Sequence, residues 1–180
     1  MTATLTIATD GSAAWPCHAG TARGRHAGWG WVSDTGRYRA GRTTHRSVLL
    51  AEVTAIDNAL AWALNESGNH QSVQILSDSQ SALELIQRLR QDDTLVLRAR
   101  ADAREQIAVK TASIVARIRR HGHVDVELGW VRGHVGHPLN HAADRIARHA
   151  RVAIHEPDHA RTAYYERLAR AAGTAHALAC

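Results

Sequence analysis

A chain of 180 residues, 44% hydrophobic and 22% charged, is sized for one domain and can bury roughly 70% of its unfolded surface, so neither disulfide staples nor a metal is needed for a core. No run of about 18 apolar residues occurs and a strand pattern begins within a few residues of Met1, which argues against a membrane span or an export signal and leads us to expect a soluble, cytoplasmic protein. The formal charge of +5 favours a polyanionic partner, but all of the 22 basic residues except Lys110 are arginine and phenylalanine is absent, a bias that GC-rich coding produces by itself; charge alone leaves a nucleic-acid partner open.

The stretch Leu5 to Ser12, LTIATDGS, reads as a buried strand that presents Asp10 on a Gly-Ser turn. A polar, Gly-rich loop with Pro16 and Cys17 follows; Cys17 and the distant Cys180 form neither a disulfide framework nor a ligand pair, in keeping with a reducing compartment. In GWGWVSD, Trp29, Trp31 and Ser33 alternate with small residues as a strand does, and after the turn Asp34-Thr35-Gly36 the segment Arg37 to Arg42 completes a three-stranded antiparallel meander. The period then changes. Leu49, Val53, Ile56, Leu60 and Leu64 recur at three to four residues, predicting a helix over 47–66 closed by Gly68.

Val73 to Leu76 is a short apolar strand, made parallel to the first by the intervening helix. A helix follows in SDSQSALELIQRLR with Asp78 or Ser79 as N-cap, then a long Arg-rich helix from about Asp102 to Arg120, ended at His121-Gly122. Val124 to Val131 is a fifth strand with Val124, Val126, Leu128 and Trp130 on one face, and Pro138 starts a last core helix, Leu139 to Arg151. Glu156-Pro157 breaks the chain before an added amphipathic helix, Asp158 to Ala172, with Tyr164, Tyr165 and Leu168. The expected class is α/β: a five-stranded mixed sheet, three strands antiparallel plus two parallel, flanked by helices, in one domain over 1–152 with a helical extension over 153–180 that is not a domain of its own.

Four acids mark the chemistry. Asp10 and Asp78 both sit at carboxyl ends of strands expected to be parallel neighbours, where sites in such sheets lie. Glu52 stands beside the buried stripe of its helix, and Asp144 lies about two turns into the last core helix. Converging carboxylates repel one another, so a divalent cation between them is the natural reason for the arrangement, and the pattern points to a metal-dependent enzyme. For Asp78, helix capping remains an alternative role. His137, His141 and His149 offer no closed ligand set for zinc.

The order of elements and the motifs TDGS at 9–12, AE at 51–52, SDSQ at 77–80 and RGHVGHPLNHAAD at 132–144 resemble type 1 ribonuclease H over roughly residues 4 to 152. The resemblance implies a ribonuclease H-like fold and endonucleolytic hydrolysis of the RNA strand of an RNA/DNA hybrid. It also implies two Mg²⁺ ions, with Mn²⁺ as substitute, about 4 Å apart on the scissile phosphate. Asp10 would bridge both ions, Glu52 and Asp78 would complete one site and Asp144 the other. His134 matches the family's mobile-loop histidine, with a role in proton transfer or product release. Gly11 and Ser12, with Glu52, match the contacts to the RNA 2′-hydroxyls, Gln80 a minor-groove contact, and Thr44 a phosphate pocket for the DNA strand.

The chain departs from the pattern in two places. His45-Arg46 stands where several bacterial relatives show paired asparagines, and no tryptophan occurs between 63 and 129, where many relatives carry a basic, Trp-bearing protrusion; Arg88, Arg90, Arg98 and Arg100 fall there instead. A ribonuclease H-fold nuclease acting on another nucleic acid, or a binding module without catalysis, are the alternatives; the GHVGHP loop and the full set of acids weigh against them. For residues 153–180 the readings are a core extension, which leaves the chain a monomer, or a dimer contact or nucleic-acid grip.

Overall fold

The computed structural model describes residues 4–13, 26–65, 70–91, 101–133, 136–153 and 155–179. Five strands form one sheet: β1 (Leu5–Ser12), β2 (Gly28–Ser33), β3 (Tyr38–Arg42), β4 (Ser72–Ser77) and β5 (Asp125–Trp130), in the order β3-β2-β1-β4-β5. β1 pairs antiparallel with β2, and β2 with β3, while β1–β4 and β4–β5 are parallel, the mixed sheet the sequence predicts. β1 is thus the central strand. The parallel register Leu5↔Val73 to Thr9↔Ser77 brings the carboxyl ends of β1 and β4 out at the same edge, where Asp10 and Asp78 follow.

Because side chains alternate across a strand, β1 feeds two cores. Leu5 and Ile7 pack with Trp31, Val53, Ile56, Leu60 and Ile75 beneath α1 (Val48–Asn65), α2 (Gln80–Gln91) and α3 (Ala101–Arg120). Ala8 and Val32 pack on the opposite face with Leu139, Ile146, Tyr165 and Ala169 of α4 (Pro138–Val152) and α5 (Asp158–Ala179). Among the stripe positions expected on α1, Val53, Ile56 and Leu60 are buried and Leu49 and Leu64 partly so. The polar side of α1 is not left to solvent. Asp57, 5% exposed, receives Lys110 Nζ at 2.8 Å, Ser113 Oγ at 2.9 Å and Arg117 Nε at 3.5 Å from α3, so a buried charge is neutralised across the helix pair. No helix among the described residues is long and apolar enough to cross a membrane.

Three expectations shift. β3 begins at Tyr38 rather than Arg37, because the Arg37 carbonyl accepts from Ser33 N–H at 2.8 Å and belongs to the turn. Trp130 keeps the alternation of β5 but is 52% exposed: burial along that face stops before the strand ends, and its indole N–H donates to the Asp78 carbonyl at 3.2 Å. The last helix runs two turns past Ala172, to Ala179, since Gly173 is a point of close approach and not a stop. A Cβ there would lie 2.6 Å from the Asp34 carbonyl oxygen, in the turn between β2 and β3. α5 is fastened by its buried Tyr165, whose hydroxyl lies 3.2 Å from His149 Nδ1 on α4, while His149 Nε2 meets Glu156 at 2.9 Å.

Candidate active site

Asp10, Glu52 and Asp78 each place one carboxylate oxygen within 4.8 Å of the others. Each reaches this point for a local reason. Asp10 is the last fully buried residue of β1, at 5% exposure. Glu52, 3% exposed, is held over it because Gly11 lets α1 lie directly on the strand: a Cβ at Gly11 would stand 2.7 Å from the Glu52 backbone nitrogen. Asp78 is released from capping, since Ser79 takes that role; its carbonyl accepts from Ala82 and Leu83 N–H at 3.1 Å and its hydroxyl from Ala82 N–H at 3.4 Å. Gly133 closes over the group, with space for a Cβ only 2.6 Å from Asp78 Oδ2.

Asp144 lines the same cleft, of about 410 Å³, and adds to the rise of the Asp10 carboxyl, while its Oδ1 accepts from Arg148 Nε at 2.7 Å. Arg148 and Arg151 follow Asp144 by four and seven residues on one face of α4, and both line the cleft, Arg151 donating to Ser12 Oγ at 3.2 Å. The sequence reading passed over these two arginines. The helical spacing from Asp144 was the signal that finds them.

The electrostatics follow from crowding acids in a buried place. Burial, then repulsion from Asp78 and Asp144, raises the Asp10 carboxyl from its ordinary 3.8 to about 8, against the pull of the Gly11 N–H. Burial also raises Glu52 well above the usual carboxylate range, with Asp10 and Asp78 adding to it and the same Gly11 N–H opposing. Asp10 Oδ2 and Glu52 Oε2 are buried without a hydrogen-bond partner among the described residues. Orphaned, mutually repelling carboxylate oxygens are what a hard divalent cation of the Mg²⁺ or Mn²⁺ type satisfies, so the donor set fits such an ion.

The other expected site residues are spread more widely. Gly11 and Ser12 line the cleft. Gln80 is exposed at the first turn of α2, and Thr44 lies apart, its hydroxyl within 3.0 Å of Gln106 Nε2 on α3. His134 falls outside the described residues. His137 is the N-cap of α4, its Nδ1 accepting from Asn140 N–H at 3.4 Å, and burial followed by the neighbouring His176 lowers its pKa.

The sequence profile of the RNase H family matches residues 2–152. Over 146 residues the chain is 26% identical to the ribonuclease H of Tropheryma whipplei strain Twist, covering 81% of this chain and 83% of that protein. Among solved structures it resembles the N-terminal RNase H domain of a Mycobacterium tuberculosis protein fused to maltose-binding protein, with a TM-score of 0.57 and 17% identity over 83% of this chain and 94% of that one. It also resembles the prototype foamy virus protease-reverse transcriptase, with a TM-score of 0.62 and 18% identity over 82% of this chain but 20% of that one. At such identities the structural likenesses speak to the fold alone. Matched by the profile over most of its length and folded as these domains are, the chain belongs to the RNase H family and is a hydrolase of that class.

Proposed function

We propose that this chain is an endonuclease that hydrolyses the RNA strand of RNA/DNA hybrids in the cleft between β1, α1, β4 and α4, with two divalent cations. The observation that carries the reading is the acid group itself: three carboxylates within 4.8 Å, two of them with a buried oxygen that no group among the described residues satisfies. Asp10, Glu52 and Asp78 would hold one cation, and Asp10 with Asp144 the other. Bound Mg²⁺ or Mn²⁺ would supply a water of lowered pKa and neutralise charge on the scissile phosphate and its leaving 3′ oxygen.

The chain's own residues divide the remaining work. The Gly11 N–H offsets part of the rise in both the Asp10 and the Glu52 carboxyls, and the half-buried Gly11-Ser12 backbone at the cleft would meet an RNA 2′-hydroxyl. Arg148 and Arg151 bring two cations to the rim, where they attract the phosphate chain without competing for the buried acids. Asp144 lines the cleft and accepts from Arg148 on one oxygen, so it would share its carboxylate between that arginine and an ion. His134 would exchange a proton with the departing strand. Gln80, exposed on α2, and Thr44, beside Gln106, are the proposed outer contacts, the latter on the DNA strand.

We take residues 1–152 as the catalytic domain and 153–180 as an extension packed on it, acting as a monomer in the cytoplasm. The test is substrate choice. Labelled RNA/DNA hybrid, double-stranded RNA and double-stranded DNA are offered to the wild type and to Asp10→Asn with Mg²⁺. Cleavage of the hybrid's RNA strand alone, lost in Asp10→Asn, is expected; cleavage of DNA duplex, or of none, refutes the reading.

A further inference from the structure

A second groove lies on the far side of α4, between the edge strand β3 and helix α5. It is larger than the acid cleft, about 1140 Å³, and five arginines line it against two carboxylates, Asp158 and Glu166. One of those acids is already engaged, since Arg161 bonds to Asp158. The basic residues are ordered. α5 runs opposite to β3: Arg161 Nη1 donates to the Ala153 carbonyl near the end where Arg42 stands, and the backbone of Arg170 lies against Gly36, beside Arg37. Arg42 and Arg161 therefore mark one end of the groove, and Arg37 and Arg170 the other. The strand rail, Arg37 to Arg42, spans ~17 Å at ~3.3 Å per residue, and the helix rail, Arg161 to Arg170, ~14 Å at ~1.5 Å per residue.

The groove opens toward the acid cleft. Ser12, Gly28 and Arg42 stand in register across β1, β2 and β3, so Arg42 lies two interstrand spacings, ~10 Å, from a residue of the cleft rim. On α4 the same passage is one residue wide: Arg151 lines the cleft and Ala150 the groove. Arg37, Arg42 and Arg170 have no ion-pair partner among the described residues. Two rails of arginine at matched length, without a large apolar pocket between them, suit a repeating anion rather than a folded protein surface.

We propose that the β3–α5 groove is a second binding track for the phosphodiester backbone of nucleic acid, taking the part of a strand that runs out of the acid cleft past Ser12. It extends the proposed substrate reading, on which it rests for the identity of the strand. From Ser12 to Arg37 the path measures ~27 Å, roughly eight nucleotide steps at ~3.4 Å of rise each. A short hybrid fills the cleft alone; a long one reaches both.

The test is binding of uncleaved oligonucleotides in EDTA, so a failure of the hydrolysis reading leaves it intact. Hybrids of about 6 and about 24 base pairs, sizes set by the ~3.4 Å rise, are titrated against the wild type and Arg37→Ala/Arg42→Ala/Arg170→Ala from low to high salt. The variant is expected to lose at least tenfold in affinity for the long hybrid. Its slope of log affinity against log salt should become shallower by roughly 2 to 3 units, near 0.9 per lost phosphate contact, with less than twofold change for the short hybrid. Arg37→Lys/Arg42→Lys/Arg170→Lys should restore the slope, separating lost charge from lost fold. An unchanged slope for the long hybrid overturns the proposal, as does an equal loss for both lengths. Conversion of a wild-type dimer into a monomer by the alanine variant, or tighter binding of polyglutamate than of hybrid at matched charge, overturns it in favour of a protein partner.

Discussion

Replacing Asp10 by asparagine should make the metal-free protein more stable at neutral pH, although it should end the activity. The Asp10 carboxyl sits at about 8 in the folded protein against an ordinary 3.8, so between these values the folded state retains a proton that the unfolded state has released. Stability from this group is complete below the lower value and is lost as pH rises through the window, at up to about 1.4 kcal/mol per pH unit, or ~4 kcal/mol by pH 7. The cleft opens to water and the acids relax, so we take about half, ~2 kcal/mol. Asparagine keeps the shape and has no proton to hold. Melting in EDTA should show little difference between wild type and Asp10→Asn near pH 4. At pH 7.5 the variant should melt roughly 4 to 8 °C higher, at ~2 to 4 °C per kcal/mol for a chain of this size. Saturating Mg²⁺ should erase or reverse the gap, because it stabilises the folded wild type by mass action. A variant less stable than wild type at pH 7.5 without metal, or a gap that does not grow with pH, would refute the argument.

Other substitutions test other links. Gly11→Ala must push α1 off β1, since its Cβ meets the Glu52 nitrogen at 2.7 Å; we expect a loss of about 2 kcal/mol or more by denaturant melting and of nearly all metal binding by calorimetry. Asp57→Ala leaves Lys110 and Arg117 without their shared buried partner and should cost ~1 to 3 kcal/mol in the same melts, with cleavage by the folded fraction unchanged. His134→Ala should slow turnover by roughly 10² or more without abolishing it, because water substitutes in part; equal turnover at every pH would remove His134 from the site.

Periodicity gave the architecture because the hydrophobic stripe of α1 and the alternation of the strands are local patterns that tertiary contact then confirms at Val53, Ile56 and Ile75. Three acids were legible as a group because Asp10 and Asp78 end neighbouring parallel strands and Glu52 borders a buried stripe. What local pattern hides is contact between distant segments. The last helix was read only to Ala172, and the Asp34 carbonyl packed against Gly173 accounts for the glycine inside the longer helix. Trp130 shares by alternation the face of Val126, yet stands 52% exposed at the end of its strand. The groove between β3 and α5 was invisible for the same reason: its arginines come from segments more than a hundred residues apart, and the tail read alone shows only an apolar stripe with basic flanks.

The central claim is that metal ions held by the acid cleft direct a water, and not the neighbouring 2′-hydroxyl, onto the phosphate of an RNA strand. The ends of the cut strand record which nucleophile attacked. A hybrid with labelled RNA is digested with Mg²⁺, with Mn²⁺ and with EDTA, and the product termini are identified by mass spectrometry. Cuts leaving 5′-phosphate and 3′-hydroxyl ends, made with either metal and absent in EDTA, are the predicted result. Cuts leaving 2′,3′-cyclic phosphates, or made equally well in EDTA, would contradict it.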